Sequence, residues 1–387
     1  MLRLVAVLVV LAALLTGSAP DLHPARGLLA PTPPMGWSSW NRFGCAVDEQ
    51  VVEQAADAMV ASGMRAAGYR YANVDDCWMA PVRDAAGRLA ADPVRFPHGI
   101  AALARYLHGR GLLLGLYSSA GETTCAGLPA SLGHEDLDAA TFAAWGVDYL
   151  KYDHCGSDAE TAPARVQAMA EALAKTDRTI VLSVSDLGQN EAWRWGAGVG
   201  AQLWRTAPDI ADDFASVLSI LDRQAALGGY ARPGGWNDPD SLEVGNGGMT
   251  EAEYRAHFAL WAVLNAPLIA GNDLRSMNQD TARILLNPDL IAVDRDWAGV
   301  SGRLACTVGS VQAWVKPMSD GSAAVVLLNR GASPAEAGFA ARCLGLPANG
   351  PYLVRDLWTG QQRETVALHY GSVPAQSALA YRVWAAR

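Results

Sequence analysis

Basic clusters are what this sequence lacks. Its 387 residues carry 30 Lys and Arg against 39 Asp and Glu, a formal net charge of −9. No Lys/Arg run is long enough to build the basic face that phosphate binding requires, so a nucleic-acid partner is excluded. Charge of either sign is sparse, at 18% against about a quarter in a usual soluble domain. Tandem repeats and low-complexity tracts are missing too, and a hydrophobic fraction of 51% is enough for a substantial core. The first four of the six cysteines show no Cys-x-x-C spacing, and no His stands at a ligand interval. No zinc site, other metal or cofactor is expected. An acidic chain of this kind suits a neutral substrate such as a sugar.

No apolar run spans a bilayer comfortably. The one that stands out, residues 4–15, follows Arg3 and precedes the small residues Gly17, Ser18 and Ala19. That is the layout of an export signal. A signal peptide over residues 1–25 is expected, with cleavage somewhere in 20–30 because Pro20 disfavours cutting directly after Ala19. The mature protein is then secreted, with no membrane association. Six cysteines in an exported chain favour disulfides, although the sequence leaves every pairing open.

Strand-like and helix-like segments alternate through residues 30–300. Short apolar or aromatic stretches at 36–40, 71–75, 112–118, 147–153, 179–185, 202–206, 235–238 and 268–272 read as strands. Between them, residues such as Val51, Val52, Ala55 and Met59 recur at helical spacing before glycines. Eight such units predict an α/β fold, a (β/α)8 TIM barrel, with its active site at the C-terminal strand ends. After Gly302 helical periodicity stops. Alternating segments at 311–315, 323–328, 352–356 and 379–383 predict a C-terminal antiparallel β-sandwich domain over 303–387.

Chemistry-bearing residues crowd the predicted strand ends: Trp37, Asp75, Asp76, Tyr117, Lys151, Asp153, Asp186, Arg205, Asp209, Asp238 and Asp240. Carboxylates accept from sugar hydroxyls, and aromatic rings stack on the apolar face of a pyranose. Cleaving a glycosidic bond takes two carboxyl groups in different protonation states. Asp153 ends a strand, and Lys151, two residues earlier, faces the same side and should hold it ionised. Asp209 leaves another strand and opens the next helix, where an N-cap role is the alternative. As a general acid it would need burial or a nearby charge to keep its proton.

Six ordered stretches resemble glycoside hydrolase family 27, the α-galactosidase family. They are Pro34-Met35-Gly36-Trp37, Val74-Asp75-Asp76-Cys77-Trp78, Leu114-Gly115-Leu116-Tyr117, Tyr149-Leu150-Lys151-Tyr152-Asp153, Trp204-Arg205-Thr206 through Asp209, and Gly234-Gly235-Trp236-Asn237-Asp238-Pro239-Asp240. The resemblance implies a retaining exo-glycosidase that removes terminal α-galactosyl residues from oligosaccharides or polysaccharides. Asp153 would be the nucleophile and Asp209 the acid/base, with carboxyl groups about 5 Å apart. It also implies that Asp75 and Asp76 hold the far hydroxyls and that Trp37, Tyr117, Lys151 and Arg205 complete the subsite. Disulfides Cys45–Cys77 and Cys125–Cys155 follow from the same resemblance, which leaves Cys306 and Cys343 for each other.

The sequence departs from that pattern in places. Ser185-Asp186-Leu187 stands where many members have Cys-Glu-Trp, and Ala201 replaces the partner cysteine. Asp186 is one methylene shorter than the usual Glu. Ser241 replaces a common Met. Both alter the expected pocket wall. The rival within the family is a β-L-arabinopyranosidase, but its known members lack one of the paired Asp residues. A rival of another class is a secreted carbohydrate-binding protein with an inactive barrel, which would have lost a catalytic carboxylate. The string Gly196-Ala197-Gly198-Val199-Gly200-Ala201 precedes a strand instead of following one, so it is not a dinucleotide fingerprint.

Overall fold

The computed structural model describes residues 28–155, 161–368 and 370–385. The expected signal peptide lies outside the described residues. Eight parallel strands form the first sheet: β1 (Met35–Ser38), β2 (Tyr71–Val74), β3 (Leu113–Ser119), β4 (Tyr149–Asp153), β5 (Val181–Ser185), β6 (Leu203–Arg205), β7 (Trp236–Asp238) and β8 (Leu268–Ala270). Their order is β7-β6-β5-β4-β3-β2-β1-β8. Strands β1 to β7 therefore pair with their sequence neighbours, and β8 pairs with β1. The ring closes beyond β7, where Leu242 forms a parallel bridge to Ala270. There Leu242 N donates to Ile269 O at 2.7 Å and Gly271 N to Leu242 O at 2.9 Å.

Helices cover the outside of this barrel. In Glu49–Ala61 the buried set Val51, Val52, Ala55, Ala56 and Met59 forms one stripe, as 3.6 residues per turn requires. Gly36 is needed because any Cβ there would strike the Tyr71 backbone of β2; one at Gly235 would meet the Trp204 ring at 2.7 Å. Trp40, expected in the first strand, instead opens the short helix Trp40–Phe43, which swings this segment over the strand ends.

The second sheet is antiparallel, in the order β14-β13-β16-β11-β10-β9: β9 (Arg303–Val308), β10 (Val311–Pro317), β11 (Ala323–Asn329), β13 (Tyr352–Asp356), β14 (Gln362–Thr365) and β16 (Ser377–Ala385). A small pair, β12 (Ala335–Glu336) with β15 (Ser372–Val373), lies over it. Strand β11 is buried along its whole length, because its two faces serve two cores. Val325 and Leu327 join the outer core with Phe339, Tyr352 and Val373. Ala324, Val326 and Leu328 join the barrel core instead. Period-two alternation thus makes this sheet an extra layer on the barrel, packed against the helix Glu251–Leu264.

Candidate active site

Alternate residues of each barrel strand face inward. The inward set opens into one cavity at the C-terminal strand ends, lined by Asn73 and Asp75, Leu116, Tyr149 and Lys151, Ser183 and Ser185, Arg205 and Asp209, and Asp238, Asp240 and Ser241. Trp40 and Asn41 close it from the segment after β1. Of the residues chosen from sequence, Asp75, Lys151, Arg205, Asp209, Asp238, Asp240 and Ser241 line this space directly.

Asp153 ends β4 and is 7% exposed. Its Oδ2 accepts the Tyr117 hydroxyl at 3.0 Å and its Oδ1 accepts His154 N at 2.8 Å. Lys151 was expected to hold Asp153 ionised, and its charge acts in that sense without a direct bond between the two. Its ammonium instead bonds Asp75 Oδ2 at 2.8 Å and lies 5.4 Å from the Tyr117 ring centroid. Burial therefore dominates at Asp153 and raises its carboxyl above the usual range, although Lys151, His154 N–H and Tyr117 all pull the other way. At Lys151, burial opposes the ammonium, but Asp75 and Asp153 outweigh it and hold lysine above its ordinary value. Burial, reinforced by Asp153, keeps the Tyr117 phenol protonated and so a donor.

Arg205 is 2% exposed and has one guanidinium nitrogen between two carboxylates, Asp209 Oδ1 at 3.0 Å and Asp240 Oδ2 at 2.9 Å. Asp209 is not an N-cap. The following helix, Phe214–Gln224, is capped by Asp213, whose side chain accepts Ser216 N. Asp209 is not buried: its side chain is 62% exposed, at the rim between this cavity and a neighbouring cleft. Asp240 has φ +91 and Cys77 φ +72, left-handed conformations that cost non-glycine residues about 1–3 kcal/mol and gather at functional sites.

The remaining predicted residues stand behind this surface. Trp37 is fully buried, with Nε1 donating to Asn272 O at 2.8 Å. Asp76 accepts Cys77 N at 2.6 Å and Ala126 N at 2.9 Å, tying the loops after β2 and β3 together; burial raises its carboxyl. Asp186 accepts Gly188 N and Asn190 N at 3.1 and 3.2 Å, so both oxygens are engaged by its own loop. All three cysteine pairs are bonded, Cys45–Cys77, Cys125–Cys155 and Cys306–Cys343. The second brings Cys125 Sγ to 3.6 Å from Asp153 Oδ2. Among the described residues, the single cluster of potential metal ligands is this cystine with Asp153, and a disulfide has no thiolate to give a metal.

Sequence reasoning did not select Asn73, Ser183, Ser185, Trp40, Asn41 or Glu243. Period two offered a signal for three of them: Asn73 precedes Asp75 by two, and Ser183 and Ser185 are ladder partners of Lys151 and Asp153. Asn41 and Glu243, 202 residues apart, had none.

An eight-stranded barrel with carboxylates, a lysine and an arginine converging at its strand ends offers a donor set that suits a sugar, and the relatives of the chain are glycoside hydrolases. A family model described as "Alpha galactosidase A" matches residues 32–296, and one described as "Alpha galactosidase C-terminal beta sandwich domain" matches 308–383. The α-galactosidase of Cyamopsis tetragonoloba is 45% identical over 353 residues, covering 91% of this chain and 85% of that one. The crystal structure of α-galactosidase I from Mortierella vinacea superposes with a TM-score of 0.89 at 37% identity, covering 92% of this chain and 98% of that one. The Saccharomyces cerevisiae α-galactosidase structure with raffinose gives 0.84 at 31% identity, covering 92% and 98%. The chain belongs to glycoside hydrolase family 27, the α-galactosidase family.

Proposed function

We propose that this chain is a secreted, retaining exo-α-galactosidase in which Asp153 is the nucleophile and Asp209 the general acid/base. The contrast between the two carboxyls carries this reading. Asp153 is fixed and buried at a strand end, whereas Asp209 is exposed at the rim, where a leaving group and then a water can reach it. Asp153 Oδ attacks C1 of a terminal α-D-galactosyl residue. The bond to the leaving oxygen breaks as Asp209 passes its proton to that oxygen. Water then attacks C1 of the glycosyl-enzyme, Asp209 takes its proton, and the carboxylate of Asp153 departs. Two inversions return the α-anomer.

Asp75 fits a role in holding the far sugar hydroxyls, with Lys151 beside it as a donor. The intact Asp75-Asp76 pair favours galactose over L-arabinopyranose. The cleft beyond Asp209, lined by Trp40, Asn41, Arg42, Asp212, Glu243 and Asn246, fits the rest of the oligosaccharide or polysaccharide. The apolar leader and three disulfides support export. The test is hydrolysis of 4-nitrophenyl α-galactoside followed by proton NMR. The α-anomer should form first; a β-anomer would mean inversion. No release from any galactose- or arabinose-configured aryl glycoside would leave a sugar-binding protein.

A further inference from the structure

Asn41 lines both the sugar cavity and the cleft beyond it, in company with Trp40, Asp209 and Asp240. It stands in the short helix Trp40–Phe43, over the strand ends. Its side chain lies against Gly271, where a Cβ would come within 3.1 Å of Asn41 Cβ and 3.2 Å of Cγ. Glycine after β8 thus admits the side chain, and the backbone there confines it.

Glu243 decides which way that amide faces. It follows β7, is 3% exposed and accepts from two amides: Asn41 Nδ2 meets Oε1, and Asn246 Nδ2 meets Oε2 at 2.5 Å. Turned the other way, either amide would set its oxygen against a carboxyl oxygen. Each therefore gives its nitrogen to Glu243 and keeps its oxygen for another partner. Asn246 is held in place by its own loop. Gly245 and Gly247 flank it at φ +95 and +104. Asn246 N donates to Glu243 O at 3.0 Å, and Gly247 N to the Tyr254 hydroxyl at 2.5 Å.

Among the described residues, no hydrogen bond engages Asn41 Oδ1, and Asn246 Oδ1, in the lining of the same cleft, is buried and unpaired. Buried amide oxygens are normally satisfied. The neighbouring carboxylates are already occupied. Asp212 accepts the Tyr254 hydroxyl at 2.8 Å and Gly248 N at 2.5 Å. Asp240 accepts Ser241 N at 2.7 Å and Ile210 N at 2.9 Å. The two amide oxygens are thus the acceptors this wall holds in reserve. Acceptors call for a ligand with donors, and the hydroxyls of a sugar are such donors.

We propose that Asn41 is a specificity residue for the leaving group: its Oδ1 accepts a hydroxyl of the sugar that departs, and Glu243 is the positioning residue that turns the amide oxygen toward it. The substrate is then a galactoside whose leaving group is itself a hydroxylated sugar ring. This rests on the hydrolase reading above, in which Asp209 protonates the leaving oxygen. Asn41, beside Asp209 in both cavities, holds the ring to which that oxygen belongs.

The test is kcat/KM on melibiose, whose leaving group is glucose, against 4-nitrophenyl α-galactoside, whose leaving group has no further hydroxyl to give. Asn41→Ala should lose at least about fivefold more on melibiose than on the aryl galactoside, the worth of one hydrogen bond. Melibiose analogues deoxygenated one position at a time on the glucose need no mutation. One of them should be cleaved about fivefold more slowly by wild type, and in Asn41→Ala the penalty for that position should vanish. Equal losses on melibiose and the aryl galactoside would overturn the proposal. So would a wild type indifferent to every glucose hydroxyl. A wild type inactive on both substrates would defeat the hydrolase reading, and this inference with it.

Discussion

Asp153 and Asp209 occupy opposite environments, and their substitutions should fail in opposite ways. Asp153→Asn keeps the shape and the Tyr117 contact but removes the attacking anion. Hydrolysis should fall by at least about 1,000-fold while galactose binding, measured by calorimetry, persists; normal turnover would remove Asp153 from its role. Asp209→Ala removes a proton donor. It should slow an unactivated galactoside at least about tenfold more than 4-nitrophenyl galactoside, whose leaving group needs little protonation. Equal losses on both substrates would count against the acid role. Asp153 was legible in sequence because a strand end and a same-face lysine are local features. The actual partner of Lys151 was not, since Asp75 lies 76 residues away and reaches it only through the curl of the sheet.

Elements divide roles that neighbouring residues in sequence blur. Asp209, Asp212 and Asp213 precede one helix, and any of them reads as its cap. Asp213 is the cap, with extended backbone at φ −147 and its carboxylate on Ser216 N. Asp213→Ala should therefore cost about 1 kcal/mol in urea unfolding and leave kcat/KM within about twofold, since the cap is remote from the chemistry. A large activity loss with no stability loss would reverse this assignment. The eight barrel strands were legible because each is a buried apolar run between helical stretches. Strand β14 was missed because it is an exposed sheet edge without apolar residues; β9, the other edge, alternates Leu304, Cys306 and Val308 but was not read from that pattern.

Across the whole molecule, buried carboxyls and histidines set the response to pH. Burial raises Asp153, Asp238, Asp294 and Glu243. Each therefore holds a proton in the folded state at pH values where the unfolded chain has released it. For Glu243, raised to about 7, the window runs from about pH 4.5 to 7 and its contribution to stability falls as pH rises through it, while His154 and His257, lowered by burial to about 4 and about 3, act oppositely below the usual histidine value. Lys316, lowered by burial to about 8, acts oppositely but only between its folded value and the usual lysine range. Calorimetry on wild type and Glu243→Gln isolates the carboxyl: the Tm of wild type relative to the variant should fall between about pH 5 and pH 7.5, and a constant difference would contradict the assignment. Lys316 bonds Asn265 Oδ1 at 2.5 Å, Asn287 Nδ2 donates to Leu357 O at 2.8 Å and Arg330 pairs with Asp222, so the second sheet is fastened to the barrel by polar contacts as well as packing. The sequence alone determined the succession of strands and helices, the glycines that end helices and the carboxylates at strand ends, because periodicity and turn chemistry act over a few residues. Only the tertiary structure decided which charge meets which: Lys151 with Asp75, Arg205 shared by Asp209 and Asp240, Glu243 between Asn41 and Asn246. Those partners are joined by the closure of the barrel, and the protonation of each depends on how much water and charge the closed fold leaves around it.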